Sequence, residues 1–389
     1  MENLFNYNWE LCKFERIFEK VKSYSLSREV ETNEFTGMKY IHYGDIHTKK
    51  ADKVSENSNI PNIIKKNFAL LEIGDLILTD ASEDYKGIAT PAVIRENTSF
   101  DIVAGLHTIA LRPKNIDPMF LYYLIKAPTF RKYGYKVGTG MKVFGISSSK
   151  VLDFTTYIPK NDETKLVSSF LEKIDYALDL HQRKLDQLKE LKKAYLQLMF
   201  PKKDETVPQV RFANFEENWE LCKLENIIEK QIKGKAKVEN LCNGSVEYLD
   251  ANRLNGGKPI YTKALPDVSE RDIIILWDGS KAGKVYYGFK GVLGSTLKAY
   301  QLKECANSQF IYQQLLDNQN NIYNNYRTPN IPHVVKNFSS IFPIWMTSFE
   351  EQSQMADILS NLDNRIILQQ NLTDTMISLK KSYLQNMFI

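Results

Sequence analysis

Two stretches of the chain carry residue types that could do chemistry. Gly279-Ser280-Lys281-Ala282-Gly283-Lys284-Val285 has the flavour of a phosphate-cradling loop, in which backbone N–H groups and a lysine surround an anion. Its two glycines stand one residue too close together, and Val285 takes the place of the hydroxyl residue, so the segment is read as a glycine turn. Asp153, Glu163 and Lys165 offer the two carboxylates and the lysine of a metal-dependent nuclease. Later in the chain the matching stretch is Glu350-Glu351-Gln352-Ser353, without the lysine, and carboxylates favoured at a helix start account for both versions better. The five histidines show no H-x-E or H-E-x-x-H spacing. Cys12, Cys222, Cys242 and Cys305 form no C-x-x-C pair, which argues against zinc and against a disulfide framework and suits a reducing cytoplasm. There is no Asn-Pro-Pro-aromatic segment for base methylation, no glycine-rich cofactor loop after a strand, and no serine or cysteine nucleophile in a recognisable setting. The expectation is a chain that binds and positions, with no catalytic residue, no metal ligand and no cofactor of its own.

The local charge pattern says what it could bind. Residues 118–152 contain no acidic side chain but carry Lys126, Arg131, Lys132, Lys136, Lys142 and Lys150, interleaved with Tyr133, Tyr135 and Phe144. Residues 279–303 are again acid-free, with Lys281, Lys284, Lys290, Lys298 and Lys303, and residues 318–349 hold Arg327, Asn330, His333 and Lys336 among many asparagines. Such runs are commonly solvated loops. Here lysines can neutralise phosphates, and Asn and Arg have the two-pronged geometry that distinguishes base edges. The candidate nucleic-acid-contacting residues are Arg131, Lys132, Lys136 and Lys142 in one region and Lys281, Lys284, Arg327, Asn330 and His333 in the other.

Those regions hang on a repeated frame. NWELCKFERIFEK at 8–20 returns as NWELCKLENIIEK at 218–230, identical at ten of thirteen positions, and LKKAYLQLMF at 191–200 returns as LKKSYLQNMF at 379–388, identical at eight of ten. The offset falls from 210 to 188 residues between the two blocks, so the frame is duplicated while the insert inside it has changed length and sequence. The chain has 389 residues, 43% hydrophobic and 25% charged, with a net charge of +4. That is a globular composition, with no apolar run approaching the roughly 20 residues of a membrane span and no basic-then-apolar leader of the kind that marks secretion.

From Pro159 to Pro201 the sequence reads as one helix. Val167, Leu171, Ile174, Leu178, His181, Leu185, Leu188, Lys192, Tyr195 and Met199 follow the four-three spacing of a coiled-coil seam. Met355, Leu359, Leu362, Ile366, Gln369, Thr373, Met376, Lys380, Tyr383 and Met387 occupy the same ten places in the second copy. Each helix would span roughly 50 Å. The simplest packing puts the two seams together, antiparallel, under an approximate twofold axis, although pairing with another chain satisfies the pattern too.

Each insert reads as a compact α+β domain. Short apolar runs at 68–80 and 100–113, or 271–279 and 291–303, are followed by a helix (119–127, 309–317), a loop and a last extended segment (155–159, 339–343). The expected division is an insert domain at 1–160, a spacer helix at 161–203, a second insert domain at 204–345 and a C-terminal helix at 346–389: two globular α/β domains separated by two long antiparallel helices, an internal pseudo-twofold repeat.

This order of parts resembles the specificity subunit of type I restriction-modification enzymes. The residues that carry the likeness are 8–20 with 218–230, 191–200 with 379–388, and the run at 331–352, whose Ile331-Pro332 and Glu351-Gln352 look like that family's entry to the last helix. The first copy departs from it with Glu163-Thr164 for Glu-Gln, and with Phe144-Gly145-Ile146-Ser147 where the second has Ile-Pro-His. The resemblance implies that each insert is a target recognition domain reading one half of a split double-stranded DNA site, and that the helices set the unread gap. It also implies two methylation subunits docked on the chain, through them restriction and translocation subunits, and S-adenosylmethionine, ATP and magnesium on those partners, all in the cytoplasm. A coiled-coil scaffold joining two protein-binding domains, without a DNA role, is the competing reading; a nuclease using Asp153, Glu163 and Lys165 is a third.

Overall fold

The computed structural model describes residues 9–140, 143–202, 205–237, 244–330 and 332–388. Lys142 and Ile331 lie outside them. The chain forms two compact units, Met1–Gln182 with Leu372–Ile389, and Arg183–Asn371.

In the first unit, strand Glu10–Lys13 pairs antiparallel with Thr155–Ile158, so the insert begins and ends side by side. Between them lies a five-stranded sheet in the order Phe18–Val21, Thr108–Pro113, Leu76–Thr79, Pro91–Ile94, Lys53–Val54. A second sheet contains Asp101–Ala104 parallel to Met38–Ile41. The central strand has no polar face because both of its sides are covered. Leu76 and Leu78 point into one core cluster with Phe120 and Phe130, whereas Ile77 points into another with Ile94 and Ile102. Helix Pro118–Lys126 follows, opened by Asp117, whose side chain accepts from the Phe120 N–H, and by proline in the first turn.

The second unit repeats this plan. Glu220–Lys223 pairs with Pro343–Met346, and the sheet runs Ile228–Lys233, Leu297–Leu302, Ile273–Leu276, Val285–Tyr286. Ile273 and Ile275 face one cluster while Ile274 and Leu276 face the other. Helix Ser308–Asp317 is capped by Asn307. Two expectations change. The stretch 339–343 is not extended throughout: Phe338–Ile341 form a helical turn and the strand starts at Pro343. The loop expected after each insert helix begins with a second helix, Pro128–Val137 or Gln319–Asn325. Pro128 stops the preceding helix and starts the next, since its missing N–H is harmless only in a first turn.

The long helices are Asn161–Met199 and Phe349–Asn386, and each unit contains part of both. In the first unit Phe170 meets Tyr383 edge-on, with ring centroids 5.0 Å apart, and Lys380 pairs with Asp175. In the second, Lys192 donates to Asp363 over 2.6 Å. Leu171, Leu185, Leu188, Leu359 and Leu362 are buried, and Ile174, Leu178, Tyr195, Ile366, Met376 and Tyr383 are partly covered.

The repeated LKKxYLQxMF block acquires a role here. Its last residue enters an insert domain: Phe388 packs on Phe120 with centroids 5.3 Å apart, and Phe200 packs on Phe310 at 5.5 Å. Its lysine joins a half-buried clamp. Asp175 accepts from Tyr123 Oη (2.6 Å), Lys53 Nζ (2.7 Å) and Lys380, while Asp363 accepts from Gln313 Nε2 (2.7 Å) and Lys192. Burial alone would push the Asp175 carboxyl up, but these donors hold it below its ordinary value.

Either charge change alone, Lys192→Asp or Asp363→Lys, is expected to cost about 2 kcal/mol, because the half-buried member that remains is left facing a like charge. The double exchange should recover most of it, since Gln313 Oε1 is buried without a partner and can accept from a lysine at 363. A double-mutant cycle by urea unfolding measures the coupling; additive losses would count against the clamp.

Candidate nucleic-acid interface

In the second unit, two segments about 50 residues apart meet at the end of the central strand Ile273–Leu276. Asp278 bridges His333 in antiparallel fashion, the Gly279 N–H donates to the Pro332 carbonyl (3.0 Å), and the Val334 N–H donates to the Trp277 carbonyl (2.9 Å). The 279–284 segment is a turn, as expected. Gly279 and Gly283 have φ of 112° and 92°, and a Cβ at Gly283 would come within 2.8 Å of Ile322.

Three of the five residues expected here have a defined setting, and two are exposed. Lys281 is exposed. Lys284 lies over the Tyr286 ring and donates to Asn255 Oδ1 (2.5 Å). Arg327 stacks on Tyr323 and donates to the Tyr323 and Ser280 carbonyls (2.8 and 3.3 Å), so it stitches the two segments together. His333 Nδ1 lies 3.0 Å from Thr328 Oγ1. Asn330 is exposed on the same segment. Lys298 was missed as a site residue. Its ammonium sits 3.3 Å above the Trp277 ring, and burial, reinforced by Lys233, pulls its pKa down. Nothing in the strand pattern of 297–302 marks it, because the partner ring lies on another strand.

The first unit builds the corresponding edge. Residues Ala81–Ser82 pair with Phe144–Gly145, and the Ile146 N–H donates to the Asp80 carbonyl (2.9 Å). Phe144-Gly145 therefore stands where Pro332-His333 stands in the other unit, despite sharing no residue type with it. Tyr85 packs on Phe144 with centroids 3.8 Å apart. Helix Pro128–Val137 presents Lys132 and Lys136 to solvent. Arg131 faces inward: it donates to the Lys86 carbonyl (2.6 Å), lies against Tyr135, and burial lowers its pKa, so it holds the 85–87 turn in place. A run of basic residues read without its helical phase cannot separate Arg131 from Lys132.

The carboxylates considered for metal chemistry are engaged separately. Asp153 pairs with Lys13 at 2.9 Å, and Glu163 accepts from Trp9 Nε1 at 3.0 Å. No group of three metal-ligating side chains is found among the described residues. The Glu-Gln pair at the last helix has a different task. Glu351 takes both prongs of Arg211. Gln352 accepts from the Asn307 N–H and donates to the Cys305 and Thr347 carbonyls, fixing the start of helix Ser308–Asp317.

The family model described as the type I restriction modification DNA specificity domain matches the chain twice, at residues 6–190 and 216–376. The specificity subunit of the type I restriction enzyme MjaVIII from Methanocaldococcus jannaschii is 30% identical over 195 residues, which cover 48% of this chain and 45% of that protein. The chain thus spans under half the length of that relative in the match. Two solved structures share the fold. A type I restriction-modification S subunit from M. genitalium has a TM-score of 0.67 at 16% identity, covering 100% of this chain and 98% of its own. A chain from a study of complex assembly and conformational transition in a type I system has 0.57 at 13%, covering 98% of each. With two matches that together span most of its length, the chain belongs to the type I restriction-modification DNA specificity family and carries that domain twice.

Proposed function

We propose that the protein is the specificity subunit of a type I restriction-modification complex, a non-catalytic chain whose two insert domains each read one half of a bipartite duplex site. The observation that carries this reading is that one topological position, where the loop after the central strand meets the loop after the insert helices, is closed by antiparallel backbone pairing in both units and filled with different side chains. A conserved frame presenting unlike loops suits two readers of unlike sequence better than two copies of one protein-docking surface. The candidate DNA contacts are Lys132 and Lys136, with Lys142 nearby in sequence, in the first domain, and Lys281, Lys284, Arg327, Asn330 and His333 in the second. Arg131 and Arg327 act mainly by holding loops.

In this reading the helices fix the gap and take two methylation subunits on their outer faces, where Leu166, Tyr176, Leu368 and Ile377 are exposed at 72, 66, 67 and 53%. Restriction and translocation subunits join through those partners, which carry S-adenosylmethionine, ATP and magnesium. No helix of the described residues is long and apolar enough to cross a membrane, in keeping with a cytoplasmic place of action.

The test is a gel shift of the chain with its methylation subunit on randomised duplexes, followed by sequencing of the bound pool. Two defined half-sites separated by a fixed unread gap are expected. Alanine at Lys132, Lys136 and Lys142 together should weaken binding roughly ten-fold at 150 mM salt and flatten its salt dependence by up to three phosphate contacts. Binding with no selected sequence, or none with the methylation subunit present, would favour the protein scaffold.

A further inference from the structure

His107 closes the turn between strands Asp101–Ala104 and Thr108–Pro113, with φ of 56°. A residue bearing a side chain seldom adopts that backbone, and glycine or asparagine would do so at less cost. The imidazole is nonetheless held in a defined pose. Its Nδ1 lies 3.0 Å from Asp80 Oδ1, and the Tyr43 ring meets it edge-on with centroids 5.3 Å apart. His47 steadies the same corner, with Nε2 3.1 Å from the Ala81 carbonyl. The pair remains open to solvent, at 48% side-chain exposure for His107 and 36% for Asp80. A cleft of about 260 Å³ opens beside it, lined by Lys20, Ser23, Asp80, Thr108, Ser147 and Ser148. Strain kept in a solvent-facing, pre-positioned ring points to use rather than to stability.

The location is that of the reading edge. The Asp80 N–H donates to the His107 carbonyl (3.1 Å), and the Asp80 carbonyl accepts from Ile146 of the second loop. In the other unit the Trp277 N–H donates to the Thr296 carbonyl (2.8 Å), so Trp277 takes the place of Asp80 and Thr296 that of His107. The two units differ here, whereas they agree in the clamps and terminal phenylalanines that hold the frame.

We infer that His107 is a specificity-determining residue of the first domain, and that it accepts a hydrogen bond from the exocyclic amino group of an adenine or cytosine in the major groove. This rests on the reading of each insert as a DNA reader. The chemistry follows from Asp80. Its carboxylate accepts the Nδ1–H and thereby leaves the neutral ring with its lone pair on Nε2, which no protein group engages among the described residues. In the major groove only adenine N6 and cytosine N4 donate, while guanine and thymine offer acceptors alone.

The experiment uses the complex with the methylation subunit and a duplex library randomised in both half-sites. His107→Gly removes the ring and also relieves the backbone, so a folding defect is not expected, and His107→Asn keeps an acceptor on a shorter arm while tolerating the same φ. The wild type should prefer adenine or cytosine at one position of one half-site by roughly ten-fold. The glycine variant should accept every base there to within about two-fold and leave all other positions unaltered, and the asparagine variant should retain part of the preference. An unaltered motif with His107→Gly, a uniform loss across both half-sites, or a wild-type preference for guanine or thymine at the affected position overturns the inference. Should the wild type itself select no bipartite motif, the reader model fails instead, and the two failures are distinguishable.

Discussion

Exchanging residues 1–160 for the corresponding insert of another chain of this family is expected to replace one half of the recognised sequence and to leave the other half and the gap as they were. The neck of the domain makes such an exchange feasible. Glu10–Lys13 and Thr155–Ile158 lie in one antiparallel pair, and the Phe14 N–H donates to the Phe154 carbonyl (2.9 Å), so both junctions lie together and the sheet between them is closed in the insert itself. The effect is large because each mismatched base pair costs about 1–3 kcal/mol, and a half-site of several pairs loses its whole discrimination at once. The incoming insert must supply an aromatic partner for Phe388 where Phe120 now stands, and a donor to Asp175 where Tyr123 stands. Sequencing of methylated sites from cells bearing the hybrid gives the answer. A change in both halves would show that neither insert reads alone.

Glu351→Ala should be the most damaging single change to the second unit. The Glu351 side chain is 1% exposed and that of Arg211 10%, and the guanidinium grips the carboxylate through Nε and Nη2 at 2.8 and 2.9 Å, with the Thr347 hydroxyl donating as well. Removing the carboxylate leaves a guanidinium desolvated without its partner, at a cost of about 3–5 kcal/mol. For a unit of this size that corresponds to a fall in melting temperature of roughly 10 °C. The neighbouring Glu350, exposed in the same helical turn, serves as the control, and its alanine variant should stay within about 0.5 kcal/mol of the parent. Replacing both members, Arg211→Met with Glu351→Leu, should be milder than Glu351→Ala alone, because no unpaired charge then remains. A thermal melt of the three variants decides it, and equal losses for Glu350 and Glu351 would refute the argument.

What could be read from sequence is whatever is periodic or repeated. The heptad stripe announced both long helices, with ends within four residues of the expected 161–203 and 346–389, because the spacing of apolar residues is a local property of a helix. Near-identical blocks at two places announced a duplicated frame without any tertiary information. The apolar runs announced the strands, since a strand covered on both faces cannot hide its composition.

The tertiary structure decided what each of those parts touches. Phe388 belongs with an insert some 260 residues earlier in the chain, Lys380 serves Asp175, and Arg211 serves Glu351. No local pattern encodes a partner at such separation. The same holds at the loop edge beyond each central strand. The charge run singled out Arg131, which turns inward, counted Lys298 without choosing it, and passed over His107 and Asp80; the settings of these last three exist only once separate strands meet. Sequence by itself determined the repeated scaffold, because helix and strand periods are local properties of the chain; folding decided which side chains face outward to meet a ligand, because exposure at a loop depends on neighbours that the local sequence does not contain.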